Sequence, residues 1–356
     1  MNGERKRFLD RLGIAHPIIQ APMAGVSTPA MAAAVSNAGA LGSLGLGADT
    51  AESAARAITA TRTLTHGPVH VNVFCHRPGA SNARIEQAWI AKLRPEFERY
   101  GAAPPTQISE IYQSFIANSG MLQLFLESKP EIVSFHFGLP ASAAIEALRQ
   151  AGIVLIASAT NVREAIAIAE AGLDAVIAQG YEAGGHRGAF DPDAPDDALG
   201  TFALTRLLAA SLEIPVIAAG GIMDGAGIAA ALRLGASAAQ LGTAFIACPE
   251  SLADSGYRAA LASDAAHHTL MTRAISGRPA RCLANKFTAI GERVASSEIP
   301  AYPIAYDAGK SLHAAAKARG EFGFGAQWAG QGAPLARMLA AGALVEQLID
   351  ELAAAN

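Results

Sequence analysis

The chain has 356 residues, of which 51% are hydrophobic and 16% charged, and its formal net charge is −4. This length suits one large α/β barrel or two ordinary domains, and the composition is that of a compact, ordered protein. A small negative charge without long runs of Lys or Arg gives no electrostatic support for binding nucleic acid or a membrane surface, so we expect neither as a partner.

Cysteine usage and the N-terminus bear on the compartment. Cys75, Cys248 and Cys282 lie far apart with no C-x-x-C motif, so neither a disulfide framework nor a zinc site is predicted. The first ten residues lack the apolar core of a signal peptide. No apolar run reaches the roughly 18 residues of a membrane helix. We therefore expect a soluble, cytoplasmic protein.

Short β-rich runs alternate with alanine-rich helical runs along the chain. Eight runs have the continuous apolar character of strands buried on both faces. They are 17–20, 40–46, 69–74, 132–136, 153–158, 175–178, 215–219 and 238–245. Helical patterns between them cover 31–38, 50–61, 141–150, 161–171 and 224–235. Eight βα units in sequence predict an α/β fold of the TIM (β/α)₈ barrel type rather than an open doubly wound sheet.

One helix has clear signals at both ends. Asn161 is expected to be its N-cap, and Glu164, three residues later, predicts a capping box. Gly172 is expected to end the helix as a C′ glycine.

Two segments interrupt the alternation. Residues 76–129 are too long for one βα connection and carry helical patterns over 85–100 and 108–126, which predicts a helical insertion after strand three. Residues 264–332 are expected to fold over one mouth of the barrel, and a final helix is predicted over 334–352. The predicted domains are the barrel (1–75 and 130–263), the insertion (76–129) and a C-terminal segment covering the mouth (264–356).

Glycines near the last two strands predict a phosphate site. Gly220 and Gly221 follow strand seven, and Gly242 and Thr243 lie in the second half of strand eight. The ends of these strands commonly hold a phosphate in barrels through backbone N–H groups, which glycine leaves accessible. Ordinary tight turns would also use glycine, but the position of both segments favours the phosphate site.

Amide side chains near strand ends predict a planar heterocyclic ligand. Gln20 and Met23 end strand one, Asn72 lies inside strand three and Gln179 ends strand six. Amides offer the donors and acceptors that an isoalloxazine edge requires, and burying them unpaired is costly. Structural hydrogen bonding within the barrel is the alternative.

Two histidines are candidate acid–base groups. His186 lies with Arg187 in the glycine-rich loop 180–188 after strand six, and His136 ends strand four in S-F-H-F-G-L-P. Both should project towards the same mouth, where either could move a proton or hold an anion. For His136, which two phenylalanines flank, a satisfied core histidine is the competing interpretation.

Several catalytic motifs are absent from the sequence. No G-x-G-x-x-G opens a helix after a strand, and no P-loop, H-E-x-x-H or G-x-S-x-G occurs. A Rossmann nicotinamide site, a P-loop nucleotide site, a zinc protease and a nucleophile elbow are therefore disfavoured.

Nine segments together resemble the nitronate monooxygenases, of the class I type. They are Q-A-P-M-A-G-V-S-T-P (20–29), A-A-V-S-N-A-G-A-L-G (33–42), V-N-V-F (71–74), S-F-H-F-G-L-P (134–140), Q-G-Y-E-A-G-G-H-R-G (179–188), A-A-G-G-I (218–222), Q-L-G-T-A-F (240–245), S-G-R-P-A-R (276–281) and W-A-G-Q-G-A (328–333). They span nearly the whole chain, and residues 76–126 match least.

The resemblance implies an FMN-containing TIM barrel without a metal. It implies FMN contacts at Ala21, Pro22, Met23, Asn72, Gln179, Gly184, Gly220, Gly221, Gln240, Leu241, Gly242 and Thr243. His186 corresponds to the family's catalytic histidine, His136 to a second active-site histidine, and Tyr302 and Lys310 to substrate-proximal residues. Since a nitronate is an electron-rich anion, His186, Arg187 and Lys310 are expected to bind it by charge-assisted hydrogen bonds.

The implied activity is oxidation of alkyl nitronates, propionate 3-nitronate above all, with O₂ to a carbonyl compound and nitrite or nitrate. One electron passes from the nitronate to the flavin without NAD(P)H, and the enzyme is expected to be a monomer or homodimer. One alternative is an NADH:quinone or enoyl-thioester reductase on the same FMN barrel. Another is a flavin-free barrel that acts on a sugar phosphate, against which the amide set argues.

Overall fold

Eight parallel strands close into a barrel in the computed structural model, which describes residues 3–355. The barrel strands are β1 (Ile18–Gln20), β2 (Gly42–Gly45), β3 (Val69–Phe74), β4 (Ile132–His136), β5 (Val154–Ala159), β6 (Ala175–Gln179), β8 (Val216–Ala219) and β9 (Ala238–Leu241). They pair in the order β1-β9-β8-β6-β5-β4-β3-β2. Hydrogen bonds from Gln20 N to Leu41 O (2.9 Å) and from Leu41 N to Ile18 O (3.0 Å) close the ring. The predicted TIM barrel is confirmed.

Helices surround the barrel on its outer face. They are α1 (Gly3–Leu12), α2 (Pro29–Asn37), α3 (Ala51–Leu64), α4 (Ala83–Arg99), α5 (Ser119–Ser128), α6 (Ser142–Gln150), α7 (Val162–Glu170), α8 (Thr201–Ser211), α9 (Gly225–Arg233), α10 (Thr243–Ile246), α11 (Ser255–Leu261), α12 (Lys286–Gly291), α13 (Ile304–Lys317) and α14 (Ala341–Ala354). None of the helices in this described part of the chain is long and apolar enough to cross a membrane.

Successive residues along each barrel strand pack alternately into two apolar layers, one inside the barrel and one between the strands and the helices. In β5, Ile156 packs inside the barrel with Ile132 and Ile177, whereas Leu155 packs outwards with the residues that face the helices. Helix α1, which the sequence analysis did not predict, adds Phe8 to the interior layer and so covers one end of the barrel. The opposite end, where the strands finish, is left for the site.

Strand eight of the prediction is too long. It was expected over 238–245, but β9 ends at Leu241 and the next apolar residues form the short helix α10. An apolar run alone does not distinguish a buried strand from a buried helix. Gly242, with φ −106° and ψ −68°, is the residue at which the backbone changes direction. Gly242 and Thr243 therefore follow the strand rather than lying within it.

The predicted capping box at α7 is half formed. Asn161 Oδ1 accepts a hydrogen bond from Glu164 N (3.0 Å), as an N-cap should. The Glu164 carboxylate, however, accepts from Thr160 N (2.7 Å), Thr160 Oγ1 (2.8 Å) and Phe190 N (2.8 Å). The prediction that Asn161 N donates a reciprocal hydrogen bond to the Glu164 carboxylate is wrong, because that carboxylate binds the loop after β6 instead. Gly172 follows the helix with φ +76°, as predicted.

The insertion holds α4, a 3₁₀ turn over Phe115–Ala117, and α5. The helix predicted over 108–126 is wrong in its first half, because residues 108–114 form no helix. Tertiary contacts hold this stretch open: Ser109 N donates to Asp307 Oδ2 (2.9 Å), and the Tyr112 ring packs 5.9 Å from that of Tyr306. The insertion thereby contacts α13 of the C-terminal segment.

The C-terminal segment adds a second sheet at the open end of the barrel. Its strands β10 (Thr269–Thr272) and β11 (Ala280–Leu283) are antiparallel, and β11 also pairs with β7 (Gly185–His186), which belongs to the loop after β6. The final helix, predicted from residue 334, begins at Ala341, and Pro334 instead lies in a 3₁₀ turn. It packs on the outside of the barrel against α2 and α9.

Candidate active site

A cavity of about 460 Å³ lies at the carboxyl ends of the barrel strands. Fifteen of the residues proposed from sequence line it: Ala21, Pro22, Met23, Asn72, His136, Gln179, Gly184, His186, Gly220, Gly221, Gln240, Gly242, Thr243, Tyr302 and Lys310. This is the face at which TIM-barrel enzymes place their sites. The structure therefore brings together residues from six of the eight barrel strands or the loops that follow them, together with α10 and the C-terminal segment.

Two proposed residues are not among those that line the cavity. The side chain of Leu241 is buried in the core, and its carbonyl accepts a hydrogen bond from Ala21 N (2.8 Å). Arg187 is buried and forms a two-point ion pair with Asp196, with Nε–Oδ2 2.7 Å and Nη2–Oδ1 2.9 Å. Its Nη1 donates to Gln179 O. The guanidinium thus stabilises the loop after β6, and the structure does not bring it to the cavity.

Gln20 also has a structural role. Its side chain is fully buried, its Nε2 donates to Ser27 Oγ (2.9 Å) and its Oε1 accepts from Ser43 N (2.8 Å). For this amide the alternative interpretation, hydrogen bonding within the barrel, is the correct one.

Gln179 holds the histidine loop in place. Its Nε2 donates to His186 O (3.0 Å) and its Oε1 accepts from Gly188 N (2.7 Å). His136 Nε2 lies 3.3 Å from the same carbonyl, and since a carbonyl only accepts, Nε2 must carry the ring hydrogen. The loop approaches so closely that a Cβ on Gly188 would lie 2.7 Å from His136 Cε1.

The hydrogen bonds of Ser276 assign the tautomer of His186. Ser276 Oγ lies 2.9 Å from His186 Nε2 and donates its hydrogen to Arg278 O (3.2 Å). Because a hydroxyl has one hydrogen, His186 Nε2 must donate to Ser276, which leaves Nδ1 with a free lone pair. The Trp328 and Tyr302 rings lie 5.0 and 5.3 Å from the imidazole.

His136 and His186 are both neutral near pH 7. Burial lowers the pKa of His136 to about 4, with a smaller opposing effect from its bond to His186 O. Burial, aided by the positive charge of Arg278, holds the pKa of His186 well below its usual value. A neutral imidazole can accept a hydrogen bond or a proton, which fits His186 as the acid–base group of the site.

The part of the cavity lining that holds Lys310 and Tyr302 suits an anion. Lys310 Nζ lies 4.8 Å from the Tyr112 ring centre and 5.3 Å from that of Tyr306. No carboxylate of residues 3–355 forms an ion pair with it. The Tyr302 hydroxyl is buried without a hydrogen-bond partner in the same described part of the chain. The Lys310 ammonium and the unpaired Tyr302 hydroxyl thus line the same cavity, and the Asp307 carboxylate lies near enough to interact with the ammonium.

Another part of the cavity lining is rich in glycine and carries free polar atoms. Gly220 (φ +122°) and Gly221 (φ +69°) adopt backbone conformations that L side chains rarely occupy. A Cβ on Gly184 would lie 2.5 Å from Gly330 N, so the two segments meet only because no side chain separates them. Thr243 Oγ1 accepts from Gly330 N (3.0 Å), which leaves its own hydrogen for a ligand. Gln240 Oε1 is buried and unpaired among the described residues, as an acceptor awaiting a ligand N–H would be.

Sequence reasoning missed several residues that line the cavity or hold it together. They are Tyr112, Ser134, Ser276, Tyr306 and Trp328. Ser134, Ser276 and Trp328 lie within segments that carry the family resemblance, and that signal could have found them. Tyr112 lies in the insertion, where the resemblance is weakest.

The strand-end polar groups, glycine amides and neutral histidines of this TIM barrel surround one cavity. These features define a barrel enzyme whose site lies at the carboxyl face. Comparison with known proteins identifies the family. The family model described as nitronate monooxygenase matches residues 5–351. The chain therefore belongs to the nitronate monooxygenase family, and it is an oxidoreductase.

Individual relatives agree with this assignment. The chain is 64% identical over 348 residues to the nitronate monooxygenase of Paraburkholderia phytofirmans, covering 98% of this chain and 95% of the relative. It is similar to the structure of a nitroalkane oxidase from Streptomyces ansochromogenes, with 40% identity, a TM-score of 0.89 and 98% of both chains covered. FabK from Thermotoga maritima is less similar, with 30% identity, a TM-score of 0.73, and 98% of this chain and 96% of that one covered.

Proposed function

We propose that the enzyme binds FMN and oxidises alkyl nitronates with O₂, with propionate 3-nitronate as the preferred substrate. The observation that carries the proposal is that one cavity is lined by glycine-rich segments, by the Lys310 ammonium and by neutral His186. The name of the relative from Paraburkholderia phytofirmans supports the same reaction.

The glycine-rich part of the cavity lining would hold FMN. Backbone amides near Gly184, Gly221 and Gly242, with the Thr243 hydroxyl, would bind the phosphate. Met23, Asn72, Gln179 and Gln240 would contact the ring system. Bound there, FMN supplies the one-electron redox chemistry between the nitronate and O₂.

The protein's own side chains bind and orient the nitronate. Lys310 and Tyr302 offer charge-assisted and neutral hydrogen bonds to its anionic groups. His186 Nδ1 can accept the α-proton of a neutral nitroalkane, but its lowered pKa makes it a weak base. This favours substrates that are already ionised, which is the reason for proposing nitronates rather than nitroalkanes.

The decisive experiment measures O₂ uptake by the purified, flavin-loaded protein with propionate 3-nitronate, beside anaerobic reduction of the flavin by NADH. Rapid O₂ uptake without flavin bleaching by NADH supports the proposal. Bleaching by NADH without nitronate turnover would instead identify the reductase alternative.

Substrate preference can be tested at Lys310. Lys310→Met should raise KM for propionate 3-nitronate by about 10- to 100-fold, the loss of one charge-assisted hydrogen bond. Ethyl nitronate, which has no carboxylate, should be affected less. Lys286→Met is a matched control, because Lys286 pairs with Glu321 and neither residue lines the cavity. Equal effects of Lys310→Met on both substrates would show that Lys310 does not bind the carboxylate.

A further inference from the structure

A chain of buried hydrogen bonds lies beneath the cavity and involves a histidine that the proposed function leaves unused. His70, in the middle of the barrel wall on β3, is fully buried. Its Nδ1 lies 2.7 Å from Ser43 Oγ and its Nε2 lies 2.7 Å from Ser134 Oγ. Ser134 Oγ also accepts from Asn72 Nδ2 (2.8 Å). No charged group takes part, and burial lowers the pKa of His70 to about 3, so the imidazole is neutral.

Hydrogen-bond counting fixes the direction of this chain. A neutral imidazole has one N–H donor and one bare nitrogen, so His70 donates to one serine and accepts from the other. Ser43 Oγ has His70 as its one hydrogen-bond partner in the part of the chain that the structure describes. If Ser43 accepted from His70, its own hydrogen would be buried without an acceptor, which is costly. Ser43 therefore donates to Nδ1, and Nε2 donates to Ser134.

This direction determines what Ser134 and Asn72 offer to a ligand. Ser134 Oγ accepts from both His70 and Asn72, so its hydrogen is left for a third group. Both residues line the cavity. Asn72 Nδ2 directs one bond to Ser134 Oγ and another to Ser134 O (3.2 Å), which leaves Oδ1 as its free polar atom among residues 3–355.

We propose that His70 is a positioning residue: it makes the Ser134 hydroxyl a hydrogen-bond donor to the bound flavin ring and fixes Asn72 with its carbonyl oxygen as the acceptor. This inference rests on the proposed function, because it assumes that the cavity binds a flavin. A reduced flavin carries more negative charge than an oxidised one. A donor aimed at the ring therefore stabilises the reduced form and raises the midpoint potential of the flavin.

The test compares the midpoint potential and visible absorption spectrum of flavin-loaded wild type and Ser134→Ala. Loss of the donor should weaken the preference for reduced over oxidised flavin by roughly tenfold, which lowers a two-electron midpoint potential by about 30 mV. The absorption bands should shift as well, since a polar contact to the ring is lost. Equal potentials and spectra in the two proteins would overturn the proposal.

Variants of His70 test whether it acts through Ser134. His70→Leu should lower the potential as Ser134→Ala does, and the double variant should show no further shift. His70→Gln offers one acceptor and one donor and should restore the wild-type potential. If His70→Leu does not fold, the midpoint potential of His70→Gln still tests the proposal. A wild-type potential in His70→Gln supports the role of His70, and a lowered potential contradicts it. A wild-type potential in folded His70→Leu would also contradict it.

The matched control is Ser36→Ala. Ser36 is a buried serine outside the cavity whose Oγ donates to Pro68 O (2.9 Å) and accepts from Gly42 N (3.1 Å). Its loss should reduce stability but leave the flavin potential unchanged, and a potential shift of the same size would show that Ser134→Ala reports general damage. A protein that binds no flavin would refute the proposed function together with this inference. A flavin-loaded protein that oxidises nitronates but shows equal potentials would refute this inference alone.

Discussion

Replacing Gly188 with alanine should damage catalysis by displacing the histidine loop. The added Cβ would lie 2.7 Å from His136 Cε1 and 3.2 Å from Gln179 Oε1. The first contact is about 0.7 Å inside the 3.4 Å at which ordinary van der Waals contact begins. The backbone of Gly188 is not in the left-handed region, so the whole effect is steric. Either the His136 ring or the loop that carries His186 must move.

The magnitude follows from that displacement. Overpacking a tight site costs about 1–3 kcal/mol of stability. A 1 Å misplacement of a reacting group can cost roughly 10²-fold in rate, so a shift of about 0.7 Å predicts roughly a tenfold or greater loss in kcat/KM. Bonds to the His186 carbonyl from Gln179 and His136 transmit the shift to the imidazole.

The assay combines steady-state O₂ uptake, flavin content and denaturant unfolding. Gly120→Ala in α5 is the matched control, because its Cβ would meet Asn118 Oδ1 at an ordinary 3.5 Å and its helix lies away from the cavity. Flavin content should be retained in both variants. If Gly188→Ala keeps wild-type kcat/KM and stability, the argument that this loop cannot accept a methyl group is refuted.

Three further predictions concern the cavity and the buried histidines. His186→Asn should retain flavin but lower kcat/KM for a neutral nitroalkane severely, measured by O₂ uptake, because an amide cannot take up the α-proton. Thr243→Val should weaken FMN binding by about 10- to 100-fold in equilibrium dialysis, since a hydroxyl donor to the phosphate is removed. Stability to urea should be full above about pH 6.5 and fall as the pH drops towards 4. The folded pKa values of about 3 for His70 and about 4 for His136 lie below that of an unfolded histidine, so the unfolded chain binds protons first. Protonation of each of these two histidines should lower the free energy of unfolding by about 3 kcal/mol at pH 4.

Each of these predictions has its own control. Thr205→Val removes a buried hydroxyl that has no partner in the described chain, so it should leave FMN binding unchanged. His70→Gln should flatten the pH dependence of unfolding, because it removes one of the buried imidazoles. Unchanged turnover in His186→Asn would remove this residue from the mechanism, and tight FMN binding in Thr243→Val would argue against the assigned phosphate end.

The barrel was predictable because its signal is local. Continuous apolar runs alternate with amphipathic helices, and β3 and β4 have the bounds expected from sequence. The end of β9 was not predictable in this way, because Ala238–Leu241 and Thr243–Ile246 are equally apolar and differ only in backbone conformation.

The site was predictable where a residue's role follows from its place on a strand. His136, Asn72 and Gln179 all line the cavity. The place of Arg187 next to His186 did not predict its role. Neighbouring residues in an extended segment face opposite ways, and Asp196, nine residues later, binds the Arg187 guanidinium. Ser276 was not found because its contact with His186 spans 90 residues of sequence.

The pairing of β7 with β11 also determines when a newly made chain can become active. His186 lies opposite Ala280 in that sheet, and Trp328 packs against its ring. All eight barrel strands have been synthesised once residue 241 leaves the ribosome, nearly ninety residues before that tryptophan. A nascent or prematurely terminated chain can therefore have a complete barrel while its imidazole lacks the neighbours that orient it. The orientation of His186 is thus completed only when the last quarter of the polypeptide has docked.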